Sequence, residues 1–185
     1  QWHLERAGGV RESLTEVPAS LDLSVGGIRL TGIADRIDIL PDGGADLLDY
    51  KTGSTPSLRV ARALLDPQLA LEAAAIRRGA FRGPGIREPA NLLYVRLKPG
   101  ERFKEEQVNN EYSKSAVATP KSAADLAEES LAELEKLLTG LIEGRYGFAS
   151  RLIPEQERDY GGEYDHLARV AEWSSAENSG EAEDA

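Results

Sequence analysis

The sequence predicts an α/β domain with a mixed central sheet flanked by helices. Three observations carry that prediction. Residues 28–40 and 45–50 are apolar and β-branched runs on either side of Pro41-Asp42-Gly43-Gly44, which reads as an antiparallel hairpin. Residues 59–78 carry a mostly helical pattern and lead into a strand-like run at 91–97. Residues 122–144 form the clearest helix: Ser122 caps it, and Leu131, Leu134, Leu138 and Leu141 make a core-facing stripe. The order strand, hairpin, helix, strand, helix suits a mixed sheet covered by helices.

The remaining elements follow in order. Residues 1–13 read as the end of a truncated helix or a loose terminus, and 15–23 as a first strand turned by Gly26-Gly27 into the hairpin. The 59–78 helix is interrupted near Asp66-Pro67; Pro suits the first helical position after an Asp cap, so a helix restarts there with Leu69, Ala73 and Ile76 on one face. Gly79 and Gly83-Pro84-Gly85 end it, and Lys98-Pro99-Gly100 closes the 91–97 strand. Residues 103–112 are polar and read as an edge strand or a mobile loop, and 146–165 as irregular chain. The expected division is one domain over residues 1–173 and an acidic, disordered tail over 174–185, which lacks aromatics, Lys and Arg.

Composition narrows the function classes. A chain of 185 residues suffices for one domain with a real core. No run is long enough to cross a membrane and no signal peptide is visible, so the expectation is a cytoplasmic protein with no membrane partner. With no cysteine there are no disulfides, thiolate metal sites or cysteine nucleophiles. The chain starts at Gln1 and has no methionine, which reads as a piece of a larger protein. A net charge of −10 argues against nucleic acid at first sight, yet residues 58–104 hold ten Lys and Arg against four acids. Arg59 and Arg62 open that stretch as candidate phosphate contacts.

The unusual feature is charge inside the hairpin. Gly32-Ile33-Ala34-Asp35-Arg36-Ile37-Asp38 and Asp49-Tyr50-Lys51-Thr52-Gly53 place acids and a lysine in apolar strands. Alternation puts Ile33, Asp35, Ile37 and Ile39 on one face, and Leu47, Asp49 and Lys51 on one face. Pairing Asp35 with Asp49 requires an odd-numbered loop, or a bulge. Opposed carboxylates with Cβ atoms roughly 4.5–5.5 Å apart repel in an apolar setting. A divalent cation between them removes the repulsion, and Mg²⁺ uses one or two carboxylates plus waters. The bland alternative is a structural ion pair of Lys51 with an aspartate. Competing motifs fail: Lys51-Thr52-Gly53 lacks the Ser-x-x-Lys of serine β-lactamases, Tyr94 and Lys98 lack a dinucleotide turn, no P-loop exists, and His3 and His166 are too far apart for a histidine-based zinc site.

At these residues the sequence resembles the PD-(D/E)XK nuclease superfamily in its RecB-like branch, whose fold is restriction-endonuclease-like. Pro67-Gln68-Leu69-Ala70-Leu71-Glu72-Ala73 is similar to that branch's glutamine motif. Asn91-Leu92-Leu93-Tyr94-Val95-Arg96-Leu97 and residues 164–173 extend the likeness, which is closest to AddB-type C-terminal nuclease domains of alphaproteobacterial AddAB helicase–nucleases.

The resemblance implies that Asp35 and Asp49 are metal ligands, with the Tyr50 carbonyl as a third, and that Lys51 is the catalytic lysine. Gln68 is then the motif glutamine near DNA or the site, Arg36 belongs to the first motif as a DNA contact, and Glu16 matches an upstream strand glutamate. The implied activity is Mg²⁺- or Mn²⁺-dependent, exonuclease-type hydrolysis of DNA, single strands above all, in double-strand-break repair and recombination beside an AddA-like helicase subunit. The alternative is a catalytically inactive, nuclease-like module that binds or scaffolds DNA. Three departures stand out. Glu72 replaces the aromatic residue that often ends the glutamine motif, the upstream helix with its histidine ligand is missing, and the absence of cysteine excludes an iron–sulfur cluster.

Overall fold

The structure, a computed structural model, describes residues 2–53, 55–81, 88–100, 102–109 and 121–146. The expected irregular segment after Tyr146, the 164–173 motif with His166 and the 174–185 tail lie outside the described residues. The chain divides into two compact units, Gln1–Thr139 and Gly140–Ala185.

The first unit is a five-stranded mixed sheet in the order β1-β2-β3-β4-β5, namely Glu12–Asp22, Arg29–Ile39, Gly44–Lys51, Glu88–Arg96 and Lys104–Gln107. β1–β2 and β2–β3 are antiparallel, β3–β4 is parallel and β4–β5 is antiparallel. The parallel step needs a crossover, supplied by α2 (Leu58–Arg62) and α3 (Gln68–Arg77). A short helix α1 (Trp2–Ala7) precedes the sheet, and α4 (Ala123–Ile142) follows it, running past the end of the first unit. Within the polar 103–112 segment, Lys104–Gln107 forms the edge strand β5.

The hairpin closes through three residues, 41–43. Leu40 N–H donates to Gly44 O at 2.8 Å, and Gly43 N–H donates to Leu40 O at 3.0 Å. Gly43 supplies the φ of 91° that this loop demands. The odd loop sets the register: Arg36 faces Leu48, Ile37 faces Leu47 and Asp38 faces Asp46. One further step brings Asp35 and Asp49 level.

One expected detail differs. Asp66 does not cap α3; Pro67 takes the cap position at φ −89°, with no side-chain cap bond. The Pro67 carbonyl accepts the first helical bond, from Leu71 N–H at 2.8 Å, and Asp66 acts on the Tyr94 hydroxyl instead. Ser122 does cap α4: its Oγ accepts from Asp125 N–H at 3.1 Å, and Asp125 Oδ2 accepts from Ser122 N–H at 2.9 Å.

The sheet is buried on both sides. On one face Ile37, Ala45, Leu47, Leu92 and Tyr94 join Leu69, Ala73 and Ile76 of α3 and Leu126 and Leu131 of α4 in the main core. The run of alanines on α3 (Ala70, Ala73, Ala74, Ala75) adds buried surface without bulk. Ala123, Leu126 and Ala127 are more deeply buried than the expected leucine stripe, in which Leu134 and Leu138 are half-buried. On the opposite face Leu48, Leu93 and Val95 pack with Trp2, Tyr50 and Leu97.

That second face also holds a closed set of charges. Arg6 of α1 reaches Asp38 Oδ2 through Nε and Asp46 Oδ2 through Nη2, each at 2.6 Å. Arg36 Nε and Ser13 Oγ donate to Asp38 Oδ1 at 2.7 and 2.6 Å. Asn91 Nδ2 donates to Asp46 Oδ1 at 2.7 Å. Every oxygen of the two buried aspartates is partnered. Desolvation pushes the Asp38 carboxyl up, but hydrogen bonds from Arg36, Ser13 and Arg6 outweigh it and hold the pKa below the ordinary 3.8. Asp38→Asn should therefore cost about 3–5 kcal/mol in urea denaturation at pH 7, by leaving two guanidinium groups short of an anion. The depressed pKa sets the pH window. The stabilisation is complete above pH 3.8 and is lost as pH falls through the lower folded value, so the gap between wild type and variant should close there.

Candidate active site

The main-core face of the same strands carries a different charge cluster. β1 and β2 lose their pairing where it begins. Thr15 pairs with Arg36 and Val17 with Ala34, but Glu16 and Asp35 between them do not pair. Glu16 sits at φ 50°, a costly conformation for a residue with a Cβ. The inward side of the strand switches there, from Leu14 to Val17. Asp35 is thereby outside the ladder on both sides, and its Oδ2 accepts from Tyr50 N–H at 2.9 Å. Glu16 is level with Asp35 but exposed.

On β3, Asp49 is 3% exposed. Alternation puts Lys51 on the same face, with Nζ 2.8 Å from Asp49 Oδ2. Helix α3 brings Gln68 to both. Its Nε2 donates to Asp49 Oδ1 at 2.7 Å and to Glu72 Oε1 at 3.2 Å, and its Oε1 accepts from Lys51 Nζ at 3.1 Å. One amide thus holds the acid and the base of β3 in fixed relation. Two acceptors on the nitrogen and one donor on the oxygen settle which way the amide points.

Tyr94 of β4, level with Asp49, forms the floor. Its ring lies 5.7 Å below Lys51 Nζ, a cation–π distance. Burial, with Asp66, Asp49 and Glu72 nearby, raises its hydroxyl pKa. Glu72 shows the same pressure: burial comes first, and the charges of Asp49 and Asp35 add to it, against the hydrogen bond from Gln68, taking its pKa to about 7. Both aspartates therefore act on one point of α3, so they lie on the same side of the sheet.

Among the described residues, the buried side-chain oxygens without a hydrogen-bond partner are Asp49 Oδ2, Glu72 Oε2 and Tyr94 Oη. Asp49 Oδ2 touches the Lys51 ammonium as an ion pair but is not aligned as a hydrogen-bond acceptor. No group of three or more His, Asp or Glu among the described residues is close-set enough to cage an ion. Mg²⁺ does not need such a cage, since it is held by one or two carboxylates and keeps its waters. Orphaned oxygens and unbalanced acids fit a divalent cation at Asp35 and Asp49.

The other expected site residues fall elsewhere. Arg36 is 7% exposed on the opposite face, donating to Asp38 and Ser13 and 3.4 Å from the Tyr50 hydroxyl. It is a structural cation there, not one presented to DNA. Tyr50 contributes its N–H to the site, while its side chain packs on that opposite face. Arg59 is exposed at the end of α2, whereas Arg62 is turned onto the chain, donating to Val108 O at 2.5 Å. Three bases of the wider basic stretch are in ion pairs: Arg77 with Glu88 and Glu128, Arg78 with Glu128, and Lys104 with Glu106. Glu72 and Tyr94 were not among the expected site residues. Spacing held a signal for one of them, since Glu72 lies four residues after Gln68 on the same helix face.

A cavity of about 330 Å³ adjoins the cluster, between α3 and the far ends of β1 and β2. Leu21, Leu30, Leu71 and Phe81 line it, and Gln68 and Glu72 form its polar end.

Uncharacterized proteins of Rickettsia bellii and Rickettsia typhi are 35% and 34% identical to this chain over 80 residues. The matches cover 42% of this chain and only 10% and 9% of those relatives. A solved structure, that of SSO0001, is similar with a TM-score of 0.40 and 21% identity, over 74% of this chain and 55% of the other. The model of the PD-(D/E)XK nuclease superfamily matches residues 1–151. With its mixed five-stranded sheet flanked by helices in the restriction-endonuclease-like manner, the chain belongs to the PD-(D/E)XK nuclease superfamily.

Proposed function

We propose that this domain is a Mg²⁺- or Mn²⁺-dependent deoxyribonuclease of exonuclease type, acting on single-stranded DNA within a repair helicase–nuclease of the AddB kind. The observation that carries the reading is the Gln68 amide, which fixes Asp49 and Lys51 together on β3 beside an unsatisfied carboxylate oxygen. The ion pairs of Arg6 and Arg36 with Asp38 and Asp46 close on themselves with every carboxylate oxygen bonded, whereas this cluster leaves hydrogen-bonding capacity open.

The residues divide the work. Asp35 and Asp49 are the residues that would hold the cation. The cation, when bound, lowers the pKa of a water and withdraws charge from the scissile phosphate. Lys51 is half-buried and held by Asp49 and Gln68, so its ammonium is aimed before substrate arrives. It orients the attacking water and stabilises charge that builds on the phosphate oxygens. Arg59 offers an exposed cation for the DNA backbone. An AddA-like helicase subunit would deliver the strand; no helix among the described residues is long and apolar enough to cross a membrane.

The assay is Mn²⁺-dependent release of nucleotides from single-stranded DNA. Asp49→Ala should reduce it to background. Lys51→Ala should lower the rate about 10²–10³-fold with metal affinity little changed, the loss expected for one electrostatic stabiliser. Activity that survives Asp49→Ala overturns the proposal, and wild-type protein that binds the strand without cutting it supports a non-catalytic module instead.

Gln68→Ala separates positioning from chemistry. It should cost about 10–100-fold in rate, as lost outer-shell partners do. Its melting temperature should stay close to wild type, since Gln68 lies outside the packed core; equal activity in this variant would remove the amide from the mechanism.

A further inference from the structure

We infer that Glu72 is a third acid of the cation site, accepting a hydrogen bond from a water in the cation's shell. This rests on the nuclease reading above and deepens it.

Three facts point to the same corner. The first is the location of the orphaned atoms. Glu72 Oε2 on α3 has no hydrogen-bond partner, Asp49 Oδ2 on β3 meets only the Lys51 ammonium at 2.8 Å, and the Tyr94 hydroxyl on β4 feels the charges of Asp66, Asp49 and Glu72. Tyr94 is wholly buried and Asp49 nearly so. Buried oxygens left short of hydrogen bonds at one place have capacity for a shared, hydrogen-bonding occupant.

The second is charge. Asp35, Asp49 and Glu72 face a single ammonium, Lys51. Burying acids in excess of bases is unfavourable, and either a proton on one acid or a cation that joins them relieves it. The third is the shape of the existing bonds. Glu72 uses only Oε1 to receive Gln68. Orienting that amide needs one acceptor and no net charge, so a neutral side chain would serve. The second oxygen and the charge are left for something else. The carboxylates are too dispersed to enclose a bare ion. A hydrated one, whose waters reach the outer oxygens, fits that spacing.

The test is calorimetric titration of the metal-free protein with Mn²⁺, beside thermal melts. Glu72→Gln should bind Mn²⁺ about 10–100-fold more weakly than wild type. Its metal-free melting temperature should be no lower, because a buried charge is gone, and the rise that Mn²⁺ gives wild type should shrink. Mn²⁺ affinity within twofold of wild type in a folded Glu72→Gln or Glu72→Ala overturns the inference. A purely structural Glu72 would give that result, together with a lower metal-free melting temperature. Asp49→Asn distinguishes the parent reading. If it too binds Mn²⁺ like wild type, the metal site itself is wrong; if it alone loses binding, only the role of Glu72 fails.

Discussion

Buried carboxylates on both faces of one strand pair are the constraint that organises this molecule. β2 and β3 carry Asp38 and Asp46 on one side and Asp35 and Asp49 on the other. Each face must find compensation inside the protein, and the two faces do so differently. Opposite the main core, Arg6 and Arg36 meet two aspartates with every oxygen bonded, and α1 is pinned to the sheet as a result. On the α3 side, three acids share one lysine and leave oxygens unbonded. A closed network reads as structure, because nothing is left to bind. The open one reads as a site, because its compensation is incomplete without a ligand.

The open network stays organised because its parts stand on regular elements. Asp49 and Lys51 alternate onto one face of β3, Tyr94 lies level with them on the parallel strand β4, and Gln68 and Glu72 are a helical turn apart on α3. The crossover between β3 and β4 that makes the sheet mixed is also what lays α3 over the charged end of β3. Alanines on α3 add no bulk against the core. Asp35 differs, since it stands where the ladder breaks beside a strained Glu16. Its place is fixed by one backbone N–H, that of Tyr50.

The fold was legible in the sequence because its signals are local. The Pro41-Asp42-Gly43 turn, the alternation of β3 and the Ser122 cap each act over a few residues; on β2 the alternation fails before Asp35, where Ile33 is exposed and Ala34 is buried in its place. Parity alone required an odd loop if Asp35 and Asp49 were to stand level, and the loop is three residues long. Much of the cluster was legible too, since Asp49, Lys51 and Gln68 were singled out as residues that belong together. What was not legible depends on partners distant in sequence. Arg36 looks like a DNA contact until Ser13 and Asp38 are seen to claim it. The basic stretch looks like a phosphate track until Glu88, Glu106 and Glu128 are seen across from it. Charge counts along a chain do not say which charges are already paired.

That pairing bears on how a polyanion would approach. A phosphate arriving at Asp35, Asp49 and Glu72 meets three carboxylates and one ammonium, at a depth where water screens little. With Arg77, Arg78 and Lys104 committed to ion pairs, the acids repel the backbone unless their charge is first offset. On the proposed reading, metal and DNA therefore bind with positive coupling: whatever neutralises the acids favours the phosphate, and a bound phosphate, adding its own negative charge, favours the cation equally. The acids that the sheet is forced to bury thus make an ion a condition of substrate binding as well as of chemistry. Lys51 alone cannot remove that condition, because Asp49 and Gln68 already hold it.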